Sequence, residues 1–407
     1  MRALTLVLLL VGCAPELQEG HFACPGGGDD ECPSGFVCAA QRCWRSPPDA
    51  QVDVPTDAGS DGGDSEVPPP VDACTPQPRA VDLLLMVDDS GSMAEEQAAL
   101  TAAFPRLARK LAEGDLDGDG VADFDPIASL RVGVVSSDMG VGGHSVPICD
   151  NSMFGDDGVL ITEHRGRVDG CAAEHPAFLE YTPPGGLSEL QRELTCYATL
   201  GTEGCGFEQQ LEAVLKATTP SDSRVRFFDN TVGHGGTGLN AGFLRDDAVR
   251  VVLLLSDEED CSAENPDIFD PGYSMTGLNR RCDVHADQLW DTSRYRALAD
   301  IASDPRDVIF AALVGVPPGV ETGTHDAILA HPDMAYREDP AMPQRLLPAC
   351  RSASGDALPG RRYVEVAQTL EGEGASTLIR SICREDFEDP FDDLVALIAT
   401  RLDARCP

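Results

Sequence analysis

The stretch from Val81 to Met93, VDLLLMVDDSGSM, constrains the fold more than any other part of this chain. It opens with an apolar run broken only by Asp82, which is typical of a strand buried on both faces of a sheet. The run ends in two aspartates and a Ser-Gly-Ser turn, and a helical pattern follows. Asp88, Ser90 and Ser92 alternate along that turn, so one carboxylate and two hydroxyls can point at the same spot. This pattern predicts an oxygen-lined cation site at a strand's carboxyl end, where open α/β sheets bind ligands.

Asp88, Ser90 and Ser92 resemble the Asp-x-Ser-x-Ser motif of the metal-ion-dependent adhesion site (MIDAS) of von Willebrand factor A (vWA) domains. The resemblance implies an α/β fold with a doubly wound, mostly parallel central sheet and helices on both faces. It also implies a bound Mg²⁺ ion, or Mn²⁺ or Ca²⁺ in its place. A threonine from a second loop and an aspartate from a third would complete the site. The alternative interpretation is a serine-rich turn that only caps the following helix.

Two later stretches contain the other ligands that the resemblance implies. Thr202 lies in a glycine-rich loop ahead of an amphipathic helix, as the family pattern requires, and the glycine-flanked Thr237 is the alternative. For either threonine, a hydroxyl bonded only within its own turn is the simpler interpretation. The apolar run 249–255 predicts a second buried strand, and Asp257 beyond it takes the place of the third-loop aspartate. Glu258 replaces the glycine that usually follows, which leaves the geometry of this ligand open.

A second acidic stretch, residues 115–125, reads DLDGDGVADFD. Its alternating aspartates before Gly120 resemble the calcium loops of EF-hands and thrombospondin type 3 repeats. It departs from an EF-hand in having Pro126 where the bidentate glutamate is expected, and a flexible acidic turn is the alternative. Because the helix after the metal motif runs away from Asp88, we expect this loop at the opposite end of the sheet, where Ca²⁺ would be structural. The candidate ligands are Asp115, Asp117, Asp119, Asp123 and Asp125.

The first residues resemble a bacterial export signal. Arg2 and a short apolar run lead to Leu-Val-Gly-Cys at residues 10–13, which resembles the lipobox of bacterial lipoproteins, and the run is too short to span a bilayer. The resemblance implies a signal peptide over residues 1–12 and acylation of Cys13. Since Ala14 follows, it also implies a lipid-anchored protein of the cell envelope, at the outer membrane, that touches the membrane only through its anchor. A plain secretory signal with an incidental Cys13 is the alternative.

The 15 cysteines of an exported chain predict disulfides rather than metal or redox work. Residues 13–44 are expected to form a small Cys-rich module, residues 45–73 a disordered acidic Pro/Gly/Asp linker, and residues 74–407 the vWA-like domain. Connectivity does not follow from sequence, so sequential pairing is only the simplest hypothesis. The pairs would be Cys149–Cys171, Cys196–Cys205, Cys261–Cys282, Cys350–Cys383 and Cys74–Cys406.

The large domain alternates strand and helix patterns, which predicts the α/β class. After the first strand, a helix is expected to end at Gly114. The other predicted elements are strands at 130–136, 249–255, 307–316 and 363–368, a helix within 201–218 and a closing helix at 390–402. Insertions at 137–195, 257–292 and 317–350 each begin where a strand ends, so we expect disulfide-stapled loops to decorate the metal face.

Charge and motifs narrow the function. The net charge of −39 argues against nucleic acid or an anionic membrane surface as a partner. A hydrolase finds little support, since HExxH and G-x-S-x-G are absent from the sequence, and His325 and His331 fall in an apparent insertion. We therefore expect a non-enzymatic, surface-anchored adhesion module that binds an acidic side chain of a protein ligand through its cation. The alternative is a structural envelope lipoprotein whose ions only stabilise the fold.

Overall fold

The computed structural model describes residues 37–39, 42–44, 77–147, 149, 151–166, 168–353 and 355–405. The chain divides into two compact units, Met1–Val71 and Asp72–Pro407. In the first unit, strand β1 (Val37–Ala39) pairs antiparallel with β2 (Arg42–Trp44). The predicted signal peptide, Cys13 and the linker lie outside the described residues.

The second unit is built on a six-stranded sheet. The strands of the whole unit are β3 (Ala80–Val87), β4 (Ser129–Ser136), β5 (Leu179–Tyr181), β6 (Ala248–Leu255), β7 (Val308–Val314), β8 (Glu338–Asp339), β9 (Met342–Leu346), β10 (Cys350–Arg351), β11 (Asp356–Ala357) and β12 (Ser376–Ser381). The central sheet has the order β12-β7-β6-β3-β4-β5, while β8 pairs with β9 and β10 with β11. Every neighbouring pair in the central sheet is parallel except β4 with the edge strand β5. The predicted α/β class with a mostly parallel sheet is confirmed.

Helices flank this sheet. They are α1 (Ala94–Glu113), α2 (Leu187–Ala198), α3 (Gln210–Thr218), α4 (Arg281–Val284), α5 (His325–Leu329), α6 (Arg361–Gly372) and α7 (Glu388–Ala404). Short 3₁₀ turns accompany them at Phe228–Asn230, Pro266–Phe269, Leu278–Arg280, Ala286–Gln288, Thr292–Ile301, Pro305–Asp307 and Pro332–Met334. Among the helices of the described residues, none is long and apolar enough to cross a bilayer.

The central strand β3 owes its position to its composition. All eight of its residues are buried, because helices cover both of its faces. Leu83 and Leu85 pack in a core with α1, α2 and α7, whereas Leu84 and Met86 pack with α3, α6 and Thr292–Ile301. Asp82, the one polar residue of the strand, accepts a 2.8 Å hydrogen bond from the Arg245 guanidinium, so its buried charge is paired.

Helix α1 ends at Gly114, as its sequence predicts. Gly114 has φ +73°, and its N–H donates to the Lys110 carbonyl at 2.9 Å. A Cβ at this position would lie 2.3 Å from the Phe124 carbonyl oxygen. Both the left-handed backbone and the close approach require glycine, so the chain must leave the helix here and enter the acidic loop.

The prediction of a strand at 363–368 is wrong, because these residues lie in α6. The buried side chains Tyr363, Val366, Ala367 and Leu370 recur at helical spacing, and the β-branched valines concealed this period. The last strand is β12 instead. Its Ser-Thr start and Arg-Ser end surround only two apolar residues, so the sequence carried a weak strand signal there.

Four disulfides lie among the described residues, and two confirm the sequential hypothesis: Cys261–Cys282 and Cys350–Cys383. The predicted pairs Cys149–Cys171 and Cys196–Cys205 are wrong, since the structure has Cys149–Cys205 and, nested within that loop, Cys171–Cys196. The insertion folds back on itself, and Cys149 and Cys205 join one apolar cluster with Phe207 and Phe269. The predicted pair Cys74–Cys406 lies outside the described residues.

Candidate metal centre

The carboxyl ends of β3 and β6 meet because the two strands are parallel neighbours, with Val87 opposite Leu255. The N–H of Asp88 donates to the Leu255 carbonyl at 3.0 Å, which extends the pairing into the turn. Asp88 and Asp257 therefore lie at one edge of the sheet, as the sequence predicts for the two strand ends.

The predicted ligands form a connected set of oxygens. The hydroxyls of Ser90 and Ser92 lie 3.2 Å apart, and Ser92 Oγ donates to Asp257 Oδ1 at 3.2 Å. Asp88 Oδ1 accepts a 2.9 Å hydrogen bond from the Ser90 N–H, which fixes the first carboxylate to the turn. The structure thus brings Asp88, Ser90, Ser92 and Asp257 together. Oxygens of carboxylates and hydroxyls are the donors that hard divalent cations take.

Three residues that sequence reasoning missed hold the Asp88 carboxylate. Ser256 Oγ donates to Asp88 Oδ2, and Gln210 Nε2 and Ser137 Oγ approach it at 3.4 Å. Ser256 and Ser137 directly follow β6 and β4, so polar residues at strand ends were the available signal. Gln210 begins α3 and is fully buried, which its sequence position alone does not reveal.

Glu208 is the other missed residue. Glu208 precedes α3, is only 9% exposed, and lines the same cavity as Ser90, Ser92 and Glu258. Burial, followed by repulsion from Asp88, raises the pKa of Glu208 well above its ordinary value. A run of polar residues, Glu-Gln-Gln at 208–210, before an apolar helix was the sequence signal.

The two candidate threonines lie at different distances from Asp88. The loop of Thr202 lies beside the turn Asp88–Met93, called the metal turn below, because the Gly204 N–H donates to the Asp89 carbonyl at 2.8 Å. Within the described residues, no hydrogen bond joins Thr202 to Asp88 or Asp257. Thr237 is exposed and its hydroxyl bonds Ser221 at 2.9 Å, beyond the far end of α3. The nine residues of α3 separate that end from Asp88 by about 13 Å. Thr202 therefore stays a predicted ligand whose loop lies next to the Asp88–Met93 turn, and Glu208 lines the same cavity as Ser90 and Ser92.

Buried carboxylates raise one another's pKa values in the crevice at the carboxyl ends of β3 and β6. Burial, then repulsion from Asp88 and Glu258, raises the pKa of Asp257 to about 9. Burial and the charge of Asp88 raise the pKa of Glu258 to about 8, and burial raises that of Asp88 itself. Like charges held this close disfavour joint ionisation, and a divalent cation between them would remove that cost.

Buried oxygen atoms without hydrogen-bond partners also fit a site for a hard cation. Gln210 Oε1 is buried with no hydrogen-bond partner among the described residues, although its amide nitrogen bonds Ser256 at 2.9 Å and faces Asp88. Glu96 Oε2 is likewise buried and unpartnered, and the charge of Glu96 acts on Asp257. Such orphaned oxygens are costly unless something positive approaches them.

The acidic residues that follow β6 contact different parts of the site. Asp257 faces the serines, whereas Asp260 Oδ1 accepts from the Leu211 N–H at 2.9 Å near the start of α3. Glu259 accepts from the Arg361 N–H at 2.8 Å at the start of α6. Carboxylates at helix N-termini satisfy free N–H groups and the helix dipole, so this segment also fixes both helices around the crevice.

Gly204 permits the close approach of the 201–204 loop to the metal turn. A Cβ there would lie 2.2 Å from Asp89 Oδ1 and 2.8 Å from the Asp89 carbonyl. We expect Gly204→Ala to destabilise the fold by about 1–3 kcal/mol through this clash. Urea denaturation measures the effect. Gly372→Ala, where nothing lies within 4 Å, is the matched control, and equal unfolding midpoints for the two variants would contradict the prediction.

The acidic loop 115–125 folds around its own aspartates. Asp115 accepts from the N–H groups of Gly118 and Gly120 at 2.7 and 2.9 Å, and carboxylate oxygens of Asp115, Asp117 and Asp123 lie within 4.8 Å of one another. Asp119 and Asp125 fall outside this group. The loop joins the end of α1 to the start of β4, so it lies at the amino-terminal edge of the parallel strands, away from Asp88.

If this loop binds calcium, Asp115→Asn is expected to abolish a calcium-dependent rise in melting temperature. The carboxylate that organises the loop would lose charge while keeping its shape. Differential scanning fluorimetry with Ca²⁺ or EDTA measures the effect. Asp246→Asn, at a fully exposed aspartate outside the loop, is the control. Equal melting temperatures of the unaltered protein in Ca²⁺ and EDTA would contradict a structural calcium here.

A cavity of about 410 Å³ opens beside Ser90 and Ser92. Glu208 and Glu258 line it next to the serines, and the Cys261–Cys282 disulfide lies in its wall. The candidate metal centre is therefore reached through a concave surface rather than a flat one.

Comparisons with known proteins do not identify a family. No family model matches the chain, and no curated protein matches it. Among solved structures, proximal thread matrix protein 1 from the mussel byssus is 10% identical with a TM-score of 0.28, and the match covers 79% of this chain and 46% of that one. A mutant of the PilB minor pilin from Streptococcus sanguinis is 9% identical with a TM-score of 0.35, covering 83% and 65%. The chain thus spans less than two thirds of either protein.

Proposed function

We propose that the second unit is a doubly wound vWA-type domain that binds a protein partner through a divalent cation. The observation that carries the proposal is the connected set Asp88, Ser90, Ser92 and Asp257 at adjoining strand ends. Numbered in chain order, the six central strands run 3-2-1-4-5-6 across the sheet. The order reverses between β3 and β6, and ligands bind in the crevice at such a point.

The two serines and Asp88 would hold the cation from the first turn, and Asp257 from the end of β6. Thr202, whose loop bonds the Asp89 carbonyl through Gly204, and Glu208, which lines the same cavity as the two serines, are the candidates for the remaining ligand. The cation supplies positive charge that offsets the buried carboxylates. It also leaves a coordination position that a partner's carboxylate can fill, and Ser92 lies on the exposed side, where a partner has access.

Gln97 would hold the metal turn and the loop of Thr202 together around the cation. Its amide nitrogen donates to the Asp88 carbonyl at 2.8 Å and to the Gly201 carbonyl at 2.7 Å. Its amide oxygen accepts from the Gly201 N–H at 3.0 Å. One buried side chain on α1 therefore ties the metal turn to the second loop, so that both move together.

Metal titration and capture test this proposal. The full chain is expected to bind Mg²⁺ or Mn²⁺ in calorimetry, and to retain an envelope protein in Mg²⁺ that EDTA releases. The structural alternative, which the acidic loop 115–125 favours, predicts thermal stabilisation by metal and no metal-dependent capture. Absence of metal binding would overturn the proposal.

Anchoring is a separate part of the proposal and rests on the sequence of residues 1–13. Cys13→Ser is expected to abolish labelling by a palmitate analogue and to release the protein from the membrane fraction. Cys24→Ser, which leaves the lipobox intact, is the control. Labelling that persists in Cys13→Ser would contradict a lipid anchor at this residue.

A further inference from the structure

The cavity beside the metal turn has a mixed wall. Phe207, Leu278, Leu289 and Leu346 provide an apolar part, contributed by the approach to α3, by the segment after β6 and by β9. Phe207 and Leu289 are buried in the cluster that contains the disulfide Cys261–Cys282, so this part of the wall is braced. A volume of about 410 Å³ falls within the usual range of ligand pockets.

Most charged groups of the wall already have partners. Arg362 Nε lies 2.9 Å from Asp260 Oδ2, and Arg361 donates to the Leu329 and Met334 carbonyls at 3.1 Å. Asp283 pairs with Arg280 at 2.8 Å. These groups stabilise the walls of the cavity, and their charges are paired with other groups of the protein.

Arg345 is different. It lies on β9 and is exposed, and its guanidinium has no hydrogen bond or ion pair with any other described residue. Arg345 lines the same cavity as Ser90 and Ser92, so its guanidinium is available to a ligand that enters beside the metal site. A free guanidinium presents a planar pair of donors that matches a carboxylate.

We propose that the cavity receives a short acidic peptide segment of a protein partner, with one carboxylate on the cation, an apolar side chain against Phe207 and Leu346, and a second carboxylate on Arg345. This inference rests on the proposed function and names the partner chemistry of the same site. Arg345, the two serines and the apolar Phe207 and Leu346 line one cavity, and a peptide supplies acidic and apolar side chains on one backbone. Bidentate pairing would add specificity to metal coordination.

Synthetic pentapeptides test the inference by fluorescence anisotropy on the full chain in excess Mg²⁺. One set has Asp and a second acid one to three residues apart with Leu between or beside them. Matched sets change the second acid to Gln or the Leu to Ser. We expect the two-acid Leu set to bind at least about tenfold tighter than the Gln set, which is about 1.4 kcal/mol. Arg345→Ala should erase that ratio, and Arg345→Lys should restore part of it.

Mn²⁺ affinity measured on the same variants separates the two proposals. Arg345→Ala should leave Mn²⁺ binding unchanged, and Arg192→Ala, at an exposed arginine on α2, should change neither metal nor peptide binding. Undiminished discrimination in Arg345→Ala, no peptide binding with Mg²⁺ bound, or glutarate binding as tightly as the peptides would each overturn the inference while leaving the metal site. Failure of the unaltered protein to bind Mn²⁺ would overturn both.

Discussion

Asp88→Ala is expected to lose more than about 100-fold in Mn²⁺ affinity, and partner binding with it. Loss of residues that only orient ligands typically costs 10–100-fold, and Asp88 would be a ligand itself. The carboxylate is fully buried and accepts hydrogen bonds from the Ser90 N–H and the Ser256 hydroxyl, so its position is fixed by the surrounding loops. Isothermal titration calorimetry with Mn²⁺ measures the change.

Two further variants are the controls for this experiment. Asp88→Asn keeps the shape of the side chain and removes the charge, so it separates metal loss from misfolding. Asp246→Ala removes a fully exposed carboxylate away from the crevice and should bind Mn²⁺ normally. Circular dichroism should show an unchanged fold in all three, because the sheet core and disulfides are untouched. If both Asp88 variants bind Mn²⁺ with full affinity, Asp88 is not a metal ligand and the prediction is wrong.

Without metal, the protein is expected to become less stable as the pH rises from 5 to 8. Asp257 and Glu258 have pKa values of about 9 and about 8 in the folded protein, against ordinary values of 3.8 and 4.5. In this window the folded state holds protons that the unfolded state has released. Stability contributed by these groups is present below the unfolded pKa and is lost as pH rises through the folded pKa.

Thermal melting in EDTA measures this effect, and we expect a fall of about 5 °C or more across the window. Saturating Mg²⁺ should remove the slope, because the cation replaces the protons between the carboxylates. Asp257→Asn should flatten the slope in EDTA, since one of the repelling charges is gone. A melting temperature that rises between pH 5 and 8 in EDTA would contradict the repulsion between these carboxylates.

Local sequence patterns predicted strands β3, β4, β6 and β7 and the polar residues at the ends of β3 and β6, but they missed β5 and β12. The apolar runs of β3 and β6 were long enough to predict buried strands, and residues next to a strand end must lie at its edge of the sheet. Asp88, Ser90, Ser92 and Asp257 were therefore predictable, since their positions follow from local structure. Gly114 was predictable for the same reason, as its backbone conformation is a local requirement.

The remaining features depend on contacts between segments that lie far apart in the sequence. Gln210 reaches Asp88, and Glu208 lines the adjoining cavity, because α3 packs against β3 and β4, and the polar run 208–210 alone does not predict these contacts. The nested pairing of Cys149 with Cys205 likewise depends on how a long insertion packs. The residues of 363–368 became helical because packing in α6 buries a 3.6-residue period, which overrode the strand preference of their valines.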